Sequence, residues 1–147
     1  MITVDDLPET KFETMLGELG LLGALDVGGS TLPALTVQIG QYITQNLSKN
    51  ERCLALISSG SNNVTTSKRY DDVNMTVVVS GKEDTSDAIN VKMIANLFYK
   101  AMVDADRSSS GDIIGLIPQG ITGPFYDSTG RVSYEVNTRV LLTRCSE

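Results

Sequence analysis

The side chain with which enzymes most often move protons is missing here, since the chain contains no histidine. Its absence removes the Ser-His and Cys-His nucleophile systems and the commonest catalytic zinc ligand together. Ser58, Ser59, Gly60 and Ser61 follow an apolar, strand-like run where a nucleophile turn would stand. The Gly-x-Ser-x-Gly spacing is absent, however, and no base accompanies these serines, so they read as loop chemistry. The glycines at 28, 29, 60, 81, 111, 115, 120 and 123 form neither a dinucleotide fingerprint nor a Walker loop.

Three groups of acids remain: Asp71 with Asp72, Glu83 with Asp84 and Asp87, and Asp104 with Asp106. Neighbours on a strand point to opposite faces, so Asp71 and Asp72 do not serve one cavity. Helix capping, the helix dipole and solvation explain the acids around the central helix, and calcium-loop spacing is absent. We therefore expect no catalytic residue, no metal and no cofactor, and a protein that is not an enzyme. The charged residues of interest are those suited to contact: Lys68 and Arg69 beside one loop, and Arg131, Glu135 and Arg139 along one face of the last strand. Mixed charge on a sheet face suits a polar interface between subunits.

The elements that position these residues are organised around the stretch from Arg69 to Asp106. Its strand half, Tyr70 to Ser80, places Val73, Met75, Val77 and Val79 on one face by the period of two. Its helix half, about Thr85 to Asp106, carries Ile89, Met93, Ile94, Leu97, Phe98, Ala101, Met102 and Ala105 at helical spacing. Before it, Glu9 to Leu25 reads as a helix despite Gly17, Gly20 and Gly23, and Asp26 to Thr31 as a flexible break. A further helix is expected from Pro33 to Ser48, with Leu35, Ile39, Tyr42, Ile43 and Leu47 on its buried face. Cys53 to Ile57 reads as a buried strand ending in a loop, and Val64 to Arg69 as either the start of the next strand or a mobile loop. After the central helix come a strand at Ile113 to Ile117, an irregular or edge segment holding Pro118 and Pro124, and a hairpin turn at Asp127 to Arg131. The last strand, Arg131 to Arg144, sets Val132, Tyr134, Val136, Thr138, Val140 and Leu142 on one face and Arg131, Glu135 and Arg139 on the other.

These elements predict an α+β fold: a mixed or antiparallel sheet of about four strands, packed against one long helix and a second N-terminal helix. Residues 1–31 are expected to form an extension with a candidate helix, and 32–147 a single domain. At 147 residues, 41% apolar and 20% charged, the chain suffices for one ordinary core. A net charge of −6 argues against a partner held by a general phosphate-attracting field. Cys53 and Cys145 are too few and too far apart for a disulfide scaffold or metal cluster. No run reaches the roughly 18 apolar residues of a membrane span, and Asp5, Asp6 and Glu9 stand where a signal peptide is basic, so a soluble, unexported chain is expected.

In Tyr70 to Ser80, the helix after it, and Gly123 to Val140, the chain resembles the tail terminator and tail-completion (minor capsid-like) proteins of long-tailed bacteriophages. The pattern runs from about Pro33 to Arg144. The resemblance implies a structural virion protein, made in the host cytoplasm and assembled into the tail. It would form a ring, usually a hexamer, that caps the tail tube, ends its polymerisation and joins tail to head. The implied partners are other copies of the chain, the tail tube protein and a head-tail connector protein, with no membrane and no sequence-specific nucleic acid. Two other readings stand beside it: a connector or adaptor that binds neighbouring virion proteins, and a small carboxylate-dependent hydrolase.

Overall fold

The computed structural model describes residues 7–61, 70–105 and 113–143. Helix α1 spans Pro8–Glu18, with the proline in the first turn, where its missing N–H costs nothing. It stops well short of Leu25 because Gly20, at φ +76°, closes it. The Leu21 N–H reaches the Leu16 carbonyl and the Gly20 N–H the Gly17 carbonyl, which is a Schellman cap. The glycines that weakened the helix assignment thus lie at or beyond its end.

The segment read as a flexible break is a hairpin. Strands β1 (Leu25–Val27) and β2 (Ser30–Leu32) pair antiparallel across Gly28 and Gly29, both at positive φ. A two-residue turn of this kind demands that conformation at both positions. Gly28 also meets the long central helix so closely that a Cβ there would lie 2.1 Å from Met93 Cε.

The helix expected from Pro33 to Ser48 does not form. Thr36–Ile39 is instead strand β3, parallel to β4 (Cys53–Ser61) in the register Thr36 to Cys53 through Ile39 to Leu56. Thr36, Val37 and Ile39 are β-branched, and Gly40 at φ +75° ends the run. Residues 41–52 then return as an irregular strap across one end of the sheet. Tyr42 Oη donates to Ser80 Oγ at 2.7 Å, and Gln38 bonds the Ile43 backbone through both its amide atoms. Under the strap's end of the sheet, Cys53, Ala55, Val78 and Ser80 are buried.

Strand β4 continues through the serines expected to form a loop, with a register shift between Ser59 and Ser61. β5 (Tyr70–Ser80) and β7 (Val132–Thr143) pair antiparallel, and β6 (Ile113–Tyr126) is a single long strand at the sheet edge, so of the two readings of the segment holding Pro118 and Pro124 the edge one holds. Among the described residues the sheet has five strands in the order β3-β4-β5-β7-β6, parallel between β3 and β4 and antiparallel elsewhere. The fold is therefore α+β with a mixed sheet. β6 accommodates Pro118 because it is an edge strand interrupted by three register shifts.

Helix α2 (Ala88–Asp104), preceded by a 3₁₀ turn at Thr85–Asp87, lies on the inner face of the sheet. Its buried side is Val91, Ile94, Ala95, Phe98 and Met102. The expected face is therefore rotated: Ile89 is exposed and Leu97 only half-buried. Apolar residues occur almost all round this helix, so spacing alone admits more than one buried side. Beneath it, Val73, Met75, Val77 and Val79 of β5 and the expected apolar face of β7 join one core. Phe12, Met15, Leu16, Leu21, Leu25 and Val27 belong to that same core, so residues 7–31 are part of the domain rather than an extension.

Candidate interaction surface

The inner face is covered by helices, whereas on the outer face Asn74, Thr76, Glu135, Asn137 and Arg139 are half-exposed and Thr122 is exposed. One-sided burial is the usual condition of an antiparallel sheet. Here the open face is an ordered polar array. Thr76 Oγ1 donates to Asn137 Oδ1 at 3.2 Å, and Asn137 Nδ2 to Thr122 Oγ1 at 3.4 Å, so one ladder crosses three strands. Asp72 on β5 and Arg139 on β7 form an ion pair across the same face. Together Ser59, Asn74, Thr76, Gln119, Asn137 and Arg139 line an open cleft of about 650 Å³. Amides, hydroxyls and one neutralised guanidinium can exchange hydrogen bonds with a partner surface.

Of the expected contact residues, Glu135 and Arg139 lie on this face and register against Thr122 and Ile117 of β6. Lys68 and Arg69 lie outside the described residues. Arg131 does not belong to this face. It precedes β7 rather than lying in it, and at 1% exposed it is the largest fully buried side chain among the described residues. Its Nη1 donates to the carbonyls of Glu51 and Gly81, both at 2.8 Å, and its Nη2 to that of Ser48 at 2.7 Å. The Glu83 carboxylate stands 3.7 Å away. Arg131 is thus the clamp that holds the strap to the body of the domain, and it offers nothing to a partner.

The turn before it is built to place that arginine. Asp127 Oδ1 accepts from the Arg131 and Thr129 N–H groups and from the Thr129 hydroxyl. Burial would raise the Asp127 carboxyl, but these hydrogen bonds and the nearby guanidinium hold it below its ordinary value. Burial likewise pushes the Cys53 thiol up to about 11, so it is an inert core residue rather than a nucleophile.

Two polar contacts escaped sequence reading because their partners are distant in the chain. Arg52 makes a buried side-on pair with Asp87, Nε to Oδ2 at 2.9 Å and Nη2 to Oδ1 at 2.8 Å. Burial opposes the Asp87 charge, yet Arg52, Asn90 and the Lys82 N–H together lower its pKa. Glu9 of α1 accepts from the Ser58 hydroxyl at 2.8 Å, docking the helix onto β4. That bond gives one of the suspected serines a structural partner. No group of three or more potential metal ligands occurs among the described residues.

The free edge of β6 completes the surface. Ile114 and Ile117 near its start and Phe125 and Tyr126 at its end are exposed large apolar side chains of this strand. Helix α2, which packs against β6 and β7, exposes a stripe of Ile89, Lys92, Asn96, Lys100 and Val103. Neither a family model, a curated protein nor a solved structure matches this chain.

Proposed function

We propose that this chain is a structural subunit of a long-tailed bacteriophage virion, a tail terminator that forms a ring on the end of the tail tube. The reading starts from the resemblance of its central strand, helix and final hairpin to that class. The observation that carries it furthest is the free edge of β6, a 14-residue strand whose outer side is unpaired within the sheet and which exposes four large apolar side chains. Such an edge invites association unless it is covered.

A closed ring requires two unlike surfaces on each subunit. The N-terminal leucines do not supply one, because Leu16, Leu21 and Leu25 are buried in the subunit's own core. The pair that fits is the β6 edge, with Glu135 beside it, and the α2 stripe carrying Lys92 and Lys100. One is apolar and acidic, the other apolar and basic, which favours a head-to-tail contact over a symmetric one. The hydrogen-bonding array on the outer face is then left for the tube or the connector.

The test is polymerisation of purified tail tube protein. Added at substoichiometric amounts, this protein should sit at tube ends and shorten the length distribution seen by electron microscopy. Tubes of unchanged length with no protein at their ends would contradict the reading.

A further inference from the structure

Arg52 is a buried guanidinium that is only half used. The side chain is 7% exposed, and its pair with Asp87 engages the edge formed by Nε and Nη2. Among the described residues these are its only side-chain hydrogen bonds, so the end-on pair of donors, Nη1 and the second Nη2 hydrogen, has no protein acceptor. The same arginine lines a cleft of about 330 Å³ with Pro33, Ala34, Thr36, Asn50, Glu51 and Lys82.

The remaining polar groups around the cleft differ in their availability. Both oxygens of Glu51 are occupied, Oε2 by the Thr36 hydroxyl at 2.9 Å and Oε1 by the Ser48 N–H at 3.1 Å. The Lys82 backbone N–H is bound to Asp87, but its ammonium has no ion-pair partner among the described residues. Arg52 cancels Asp87 in charge and Lys82 cancels Glu51, so the cleft is neutral overall and its hold on an anion comes from the unused donors of Arg52 and Lys82. Pro33 and Ala34 supply an apolar wall.

We propose that this cleft binds a carboxylate group. The planar end-on fork of Arg52 matches two carboxylate oxygens, and an arginine can hold two carboxylates on its two edges at once. Lys82 supplies the second charge, Asn50 a neutral amide, and the apolar wall takes the carbon next to the carboxylate. The cleft lies at the small end of ligand-pocket sizes, which suits a short aliphatic acid or a single acidic side chain. It is separate from the β6 edge and from the open array, and the proposal does not depend on the ring.

The experiment is titration of ¹⁵N-labelled protein with sodium succinate, against sodium chloride at matched ionic strength. Succinate should give saturable shifts at the amides of Ala34, Asn50, Glu51 and Lys82, and chloride should not. Lys82→Ala, whose half-exposed side chain leaves the backbone bond to Asp87 intact, should raise the half-saturation point about tenfold while the rest of the spectrum is unchanged. Lys82→Arg should restore it. A blocked glutamate-containing peptide is the second probe: tighter binding than succinate assigns the carboxylate to a protein partner, and weaker binding to a small molecule. Shifts that rise linearly, that chloride reproduces, or that Lys82→Ala leaves unaltered would overturn the proposal.

Discussion

Arg131 Nη2 donates to the carbonyl oxygen of Ser48 at 2.7 Å, joining residues 83 positions apart. The bond binds the strap to the start of the last strand, and Nη1 extends the same clamp to Glu51 and Gly81. A buried cation held mainly by carbonyl oxygens has no replacement in an apolar side chain, since each carbonyl would then lack its donor.

Arg131→Met should therefore cost about 3–5 kcal/mol, as breaking a buried charged network usually does. Arg131→Lys should recover little, because one ammonium cannot span three carbonyls set around a planar fork. Urea denaturation gives both values, and a loss under about 1 kcal/mol for the methionine variant would show that the strap stays in place without its clamp.

Acid should loosen the Arg52–Asp87 pair. The folded-state pKa of Asp87 is lowered, so its contribution is fully present above the unfolded value of about 3.9 and is lost as pH falls through the lower folded value. Stability measured by urea melts from pH 7 to pH 2 should fall below about pH 4, and Asp87→Asn should flatten part of that fall. An identical slope in the variant would mean that other carboxylates, Asp127 among them, carry the effect.

The orientation of α2 is tested by truncation at two neighbouring positions. Ile94→Ala removes a fully buried side chain and should cost about 2–5 kcal/mol. Leu97→Ala, at a half-buried position beside the β1–β2 hairpin, should cost clearly less. Equal losses would place the buried face where the helical spacing of Ile89, Met93 and Leu97 first suggested it.

Charge reversal tests the contact between subunits. Glu135→Arg should weaken association, more at low salt than at high salt, while the circular dichroism spectrum is unchanged. Lys100→Glu in the same chain should restore part of what was lost, because the reversed charges meet again across the contact. Association indifferent to both substitutions would remove this pair of surfaces from the interface.

How far the sequence was legible depended on how local the determining forces were. β5 and β7 were readable because Val73 to Val79 and Val132 to Leu142 alternate against one core, and a slip of one residue would turn every side chain outward. Leu35, Ile39, Tyr42, Ile43 and Leu47 have helical spacing, whereas the structure of the segment after Pro33 comes from a parallel pairing with β4 that no local pattern announces. Gly28 and Gly29 read as a break, yet two consecutive positive φ values between short strands are also a tight hairpin. Of the proposed contact residues, Glu135 and Arg139 follow from strand alternation alone. Arg131, one step before the strand, is governed by carbonyls 50, 80 and 83 residues away, and neither its charge nor its spacing discloses that.

If copies of this chain close into a ring, native mass spectrometry will register the ring as a discrete mass. Spectra of the purified protein, alone and with tail tube protein, should contain one discrete oligomer, expected at six copies from the resemblance, that is lost on reversing the charge of Glu135. A protein that remains monomeric at every concentration, and stays so when the tube protein is present, would contradict the account.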